Sequence, residues 1–145
     1  MENASLDPEL TAVVAFALAL ARDRGFREAG THQLLLAAIR TPDSAAHEIF
    51  RATNVALPRV VEALESAVFS GVETRPGSGD TVLAPKARRA LGVAVKYASG
   101  RRATSAHMIL GIPVSRSVGG QALLDAGLTR EKVRVALDEM YGRAV

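Results

Sequence analysis

Apolar residues recur along the chain at spacings of three and four, punctuated by proline, glycine and hydroxyl residues, and this pattern predicts eight helices. The first runs from about Asp7 to Arg24. Asp7 is placed to cap it, Pro8 sits in the first turn where a missing N–H costs nothing, and Gly25 stops it. The second follows Gly30, with Thr31 as N-cap and Leu34, Leu35, Leu36 and Ile39 on its apolar side. The third is expected from Thr41-Pro42 and carries Ala45, Ala46, Ile49 and Phe50. The fourth runs from about Leu57 to Phe69 on a stripe of Val60, Val61, Leu64 and Val68. Periodicity then stops: Ser70-Gly71 and the run from Arg75 to Asp80 read as a linker, with Gly77-Ser78-Gly79 as a flexible loop. Beyond it, a helix from about Ala84 to Ser99 turns Leu91, Val95 and Ala98 inward. A shorter one starts at Ser105 and should end near Gly111, because Pro113 disfavours helical geometry in the residue before it. Another covers about Val118 to Ala126, with Gly127 as its cap. The last starts at Thr129, a bare hydroxyl cap, carries Val133, Ala136, Leu137 and Met140, and ends before Gly142. No stretch alternates apolar and polar residues for long, so no sheet is expected.

The eight helices are four helices written twice. Asp7-Pro8-Glu9 is echoed by Ala84-Pro85-Lys86, 77 positions on. The segment from Ala29 to Leu36 is echoed by that from Ala103 to Leu110, 74 positions on, and Val60 with Ala63-Leu64-Glu65 by Val133 with Ala136-Leu137-Asp138, 73 positions on. The shift falls because the second copy has shorter loops. The expected architecture is therefore one all-α domain over residues 1–145, built from repeat one (6–69), a linker (70–82) and repeat two (83–142) related by a pseudo-twofold axis.

Composition narrows the function. Hydrophobic residues make up 48% of the 145, enough for a sizeable core, and aromatic residues only 4%, which disfavours base-stacking platforms. Absence of cysteine removes disulfides, thiolate catalysis and cysteine metal sites, and fits a cytoplasmic address. A net charge of +3 does not demand a nucleic-acid partner. The acidic first residues do not read as a targeting segment. The ten apolar residues from Ala12 to Ala21 fall far short of the roughly 20 that span a bilayer.

Few local motifs carry chemistry. No Gly-Lys pair exists, so there is no phosphate loop. His32 and His107 stand near the starts of equivalent helices and His47 on the third helix, where capping or surface roles are expected. His47-Glu48 lacks the second histidine of a zinc helix, so no metal site or cofactor is expected. A catalytic triad assembles in space rather than in sequence, so histidine-based hydrolysis stays open as a minor reading. Lys86, Arg88 and Arg89, with Arg101 and Arg102, form the main basic cluster, either a solvated face or a phosphate or acidic-partner patch. The first helix is apolar all round, so it is either central and buried or exposes a partner-binding patch.

The order of these segments, twice over, resembles the N-terminal domain of the Clp unfoldases. The consensus second helix of that family reads Gly-Thr-Glu-His-Leu-Leu-Leu-Gly. Here it stands as Gly30-Thr31-His32-Gln33-Leu34-Leu35-Leu36-Ala37 and Thr104-Ser105-Ala106-His107-Met108-Ile109-Leu110-Gly111. The first-helix entry stands as Leu6-Asp7-Pro8-Glu9-Leu10 and Leu83-Ala84-Pro85-Lys86-Ala87, and the third-helix segment as Ala45-Ala46-His47-Glu48-Ile49 and Gly119-Gly120-Gln121-Ala122-Leu123. The resemblance implies a non-catalytic module that captures adaptors, client proteins or Clp-directed peptide ligands, for delivery or sequestration. No ATPase motif accompanies it, which fits a free-standing domain or one excised from a larger chain.

The resemblance also marks site residues. The family glutamates that hold phosphoarginine fall at His32 and Ala106, where no carboxylate opposes a guanidinium, so that recognition is not expected. The surface that takes cyclic peptide antibiotics in some members maps to Leu6, Thr11, Val14 and Leu18 on one side and Leu83, Arg88 and Leu91 on the other. Leu18 and Leu20 stand where the family usually has polar residues, and they extend this surface. An exposed patch there would serve equally as a homodimer seam. The alternative reading is a nucleic-acid or anionic-partner binder using the cluster from Lys86 to Arg102.

Overall fold

The computed structural model describes residues 5–70, 80–114 and 117–142. Among these residues the helices are α1 (Pro8–Asp23), α2 (Thr31–Arg40), α3 (Ala45–Thr53), α4 (Leu57–Ser70), α5 (Pro85–Ala98), α6 (Ser105–Val114), α7 (Val118–Asp125) and α8 (Arg130–Tyr141). Asp7 caps α1 by accepting the Glu9 N–H at 2.9 Å, with Pro8 in the first turn. Gly25 (φ 80°) and Gly127 (φ 89°) take the left-handed geometry that ends α1 and α7.

Packing repeats with the sequence. α1 lies on α2 as α5 lies on α6, and α2 on α4 as α6 on α8. Across the axis, α2 meets α7 as α6 meets α3, and α4 meets α7 as α8 meets α3. The central helices are α2 and α6: every residue from Thr31 to Ala38 and from Ser105 to Ile112 is buried. α1, though apolar all round, buries one face through Leu10, Val13, Ala17 and Ala21, and leaves Ala12 and Ala15 exposed.

Three expectations are corrected. A small parallel sheet does form: β1 (Glu28–Ala29) pairs with β2 (Val82–Leu83), and Leu6 makes an isolated parallel bridge to Ala103. Two residues are too few for a period-two pattern to register. The pairings are themselves symmetric, since each repeat's first-helix entry joins the segment just before the other repeat's second helix. Val82 N–H donates to Arg27 C=O (2.9 Å) and Ala84 N–H to Ala29 C=O (2.8 Å). Asp7 N–H donates to Ala103 C=O and Ala103 N–H to Ser5 C=O, both at 2.8 Å.

Second, α3 begins at Ala45 after Ser44, not at Thr41-Pro42. Thr41 closes α2, and Asp43 turns the chain at φ 61°. Third, α6 passes Gly111 and Pro113 and ends at Val114. Proline there removes only one late helical hydrogen bond. Gly111 serves close packing, because a Cβ on it would lie 2.3 Å from the Ala90 carbonyl oxygen of α5. The expected linker falls mostly on residues 71–79, and with the loop Gly77-Ser78-Gly79 it lies outside the described residues, as do the side chains of Val68 and Phe69.

Candidate functional site

The two helix entries are built alike but charged differently. In repeat one, Glu9 of α1 reaches the starts of two helices at once. Its Oε2 accepts the Ala45 N–H of α3 (3.1 Å) and the Ser105 hydroxyl, and its Oε1 accepts the Ser105 N–H of α6 (2.9 Å). The Ser105 Oγ in turn accepts the Ala46 N–H at 2.8 Å. A carboxylate facing helix N-termini meets orphan N–H groups and the positive end of each helix dipole. In repeat two the position of Glu9 is taken by Lys86, and the hydroxyl contact recurs: Thr31 Oγ1 accepts the Gly119 N–H of α7 at 3.0 Å. Thr31 is therefore not the N-cap of α2. Gly30 holds that position, and its N–H donates to Gln33 Oε1 at 2.6 Å.

None of the three histidines is exposed. His32 is fully buried in α2 rather than at the surface, and Ala106, its repeat equivalent, is also buried. Both phosphoarginine-equivalent positions thus face the interior. His47 Nε2 donates to the Ile39 carbonyl (2.8 Å) and its ring meets Phe50 edge-on. His107 does cap: Nδ1 accepts the Thr104 N–H at 3.0 Å, the task Gln33 performs in the other repeat. Its ring stacks on Tyr141 with centroids 4.7 Å apart. Burial first, and the Arg101 guanidinium second, hold the His107 imidazole below its ordinary pKa, against a smaller opposing effect of Glu9. Among the described residues no group of three His, Asp or Glu side chains is placed to hold a metal ion.

The sequence-derived surface residues divide. Leu6, Thr11, Val14, Leu18, Leu20 and Leu83 are half-buried, and Leu6, Val14, Leu20 and Leu83 also pack against the core. Arg88 is exposed, and its Nη1 donates to the Leu83 carbonyl at 2.8 Å. Leu91 is a core residue, 9% exposed, because it lies on the face of α5 turned to α6, and so it is no part of an outer surface. The backbone pairings bring the entry of α1, at Leu6, to Ala103 just beyond α5. They bring the entry of α5, at Leu83, to Ala29 just beyond α1. Beside this second junction lies a cleft of about 420 Å³ lined by Arg27, Glu28, Asp80 and Val82, with Val82 50% exposed. Two further clefts occupy equivalent places, between α4 and α7 (about 320 Å³) and between α8 and α3 (about 380 Å³). Sequence reasoning missed the role of Glu9 and these clefts. The one available signal was the exchange of Glu9 for Lys86 between repeats.

Taken together, these features define a class: a two-repeat helical domain whose halves exchange their short entry strands. A profile of the Clp repeat (R) N-terminal domain family matches residues 5–126, and the chain belongs to that family. No curated protein matches the sequence. Among solved structures, one from work on a malarial protein secretion system superposes with a TM-score of 0.79 at 15% identity, over 94% of each chain. The Hsp104 N-terminal domain from Candida albicans gives 0.75 at 13% identity, over 95% of this chain and 92% of that one. A ClpV N-domain in complex with a VipB peptide gives 0.74 at 16% identity, over 99% and 91%. Identities this low speak to the fold alone. No helix among the described residues is long and apolar enough to cross a membrane.

Proposed function

We propose that this domain is a non-catalytic module that captures peptide segments of Clp components, adaptors or client proteins in the cytoplasm, for delivery or sequestration. The observation that carries the reading is the fold held in common with a ClpV N-domain that binds a VipB peptide. The capture surface is the α1 side: Leu6, Thr11, Val14, Leu18 and Leu20, joined at the entry of α5 by Leu83 and Arg88. No charged side chain interrupts α1 between Glu9 and Arg22. Full burial of a leucine is worth about 1.5–3 kcal/mol. Leu18 and Leu20 are already half-buried, so each has only part of that left to contribute. Cyclic peptides that follow the same apolar contacts are expected ligands of this surface.

The test is capture of a reduced, carboxymethylated and therefore permanently unfolded reporter protein by wild type and by the double variant Leu18→Glu/Leu20→Glu. Both proteins are first checked for equal helical content. Capture by wild type alone supports the α1 surface. Equal capture moves the surface elsewhere, and no capture by either protein refutes the module.

A further inference from the structure

The modest net charge of the chain hides a strong segregation. Between residues 81 and 124 the sequence holds seven Lys or Arg and no Asp or Glu, which leaves 11 basic against 15 acidic residues over the rest. Six of the seven are Lys86, Arg88, Arg89, Lys96, Arg101 and Arg102, and all six are exposed. They follow one element. Lys86, Arg88 and Arg89 stand within the first five residues of α5, Lys96 on its last turn, and Arg101-Arg102 in the loop that leaves it. Arg89 and Lys96 are seven residues apart, two helical turns or about 10 Å along one face. Gly92 lies between them in the same face with open space above it. The result is a cationic ridge with a shallow saddle, and α5 itself contains no carboxylate to neutralise it.

The ridge is the repeat counterpart of the outer face of α1. There the equivalent positions, Thr11, Ala12, Ala15 and Ala19, carry no charge. The two faces are also joined end to end: the bridge from Leu6 to Ala103 sets the entry of α1 beside the Arg101-Arg102 loop. The outer face of α1 is uncharged between Glu9 and Arg22, and that of α5, its repeat counterpart, is cationic.

We infer that the outer face of α5, with Arg89, Lys96 and the Arg101-Arg102 loop, docks an acidic segment of the captured protein. This rests on the module reading above and names the chemistry of its partner. Charge complementarity supplies the argument: a row of exposed cations on a helix that itself contains no carboxylate attracts and orients a carboxylate-rich chain. A peptide suits it better than a nucleic acid for two reasons. The rest of the sequence is net acidic, 11 basic against 15 acidic residues, which a short acidic segment confined to the ridge avoids and a continuing phosphate backbone does not. The one aromatic residue of α5, Tyr97, has its hydroxyl bonded to Asp138 at 2.7 Å, and α5 offers no other ring on which bases could stack.

The experiment measures binding by fluorescence anisotropy with three labelled probes: a peptide alternating Leu and Glu, the same peptide with Gln for every Glu, and oligo-dT. The proteins are wild type and Arg89→Glu/Lys96→Glu, two exposed positions whose reversal should leave the thermal melt in place. The Leu/Glu peptide is expected to bind wild type at least about tenfold more tightly than the Gln peptide. It should lose at least about tenfold on the double reversal, and weaken as salt rises from about 50 to 500 mM. Equal binding of the Glu and Gln peptides, or equal binding by wild type and variant, overturns the inference while leaving peptide capture intact. Tighter binding of oligo-dT than of the Glu peptide overturns it in favour of a nucleic-acid partner. Failure of both peptides removes this inference, and failure to capture the unfolded reporter as well removes the module reading with it.

Discussion

Replacing Glu9 with alanine should destabilise this domain more than any other single loss of a surface carboxylate. The side chain is half-buried and serves three donors on two helices: the Ala45 N–H, the Ser105 N–H and the Ser105 hydroxyl. Hydrogen bonds to a charged group contribute about 1.5–3 kcal/mol each, and an N-terminal dipole contact adds about 0.3–1 kcal/mol. Water can reach a half-buried site and recover part of this, so the net loss should be roughly 3 kcal/mol rather than the full sum. For a domain of this size each kcal/mol moves the melting temperature by about 2–4 °C, so Glu9→Ala should melt about 10 °C lower. Glu9→Gln keeps one acceptor oxygen and should fall in between. Glu65 supplies the comparison. It pairs with Arg40, but both side chains are more than two-fifths exposed, and such pairs are worth about 0–1 kcal/mol. Circular-dichroism melts and urea titrations of the three variants decide the matter. If Glu9→Ala melts within about 2 °C of Glu65→Ala, the carboxylate does not tie α3 and α6 together, and the reasoning fails.

Three further outcomes rest on the packing and the caps. Gly111→Ala should cost about 1–3 kcal/mol, at the upper end of that range, because the new Cβ meets the backbone carbonyl of Ala90, which has no side-chain freedom with which to yield. Gly92→Ala, at an open exposed site in α5, should instead stabilise by about 0.5–1 kcal/mol, and paired urea titrations of the two variants read both signs. His107 gives a pH dependence. Its folded pKa lies below the usual 6.5, so the neutral ring is favoured in the folded state. The associated stability is complete above pH 6.5 and is lost as pH falls through the lower folded value. His107→Gln, which copies the Gln33 cap of the other repeat, should keep the cap and flatten the stability–pH curve just below pH 6.5. An unchanged curve would assign the acid sensitivity to other groups.

Much of this fold is legible in the amino-acid sequence, for local reasons. Asp7-Pro8 starts a helix through its own capping and proline geometry. Gly25 and Gly127 end helices because they tolerate positive φ. The doubled order of segments states that two similar halves share one core, and it carries the likeness to the Clp N-domain. What stayed hidden depends on contacts between residues far apart in the chain. Thr31 looks like a cap but holds Gly119, 88 residues away, and Glu9 looks like a first-turn acid but holds Ser105, 96 residues away. Gly111 before Pro113 looks like a stop until α5 is laid against it. Leu91 looks available for ligand until the face of α5 that meets α6 is known. Capping, helix breaking and periodicity are set by neighbours within one turn, so sequence alone determined the elements and their repetition. Which helix is central, which apolar face stays open and which N-termini share a carboxylate depend on how the two halves meet. Only the tertiary structure decided these.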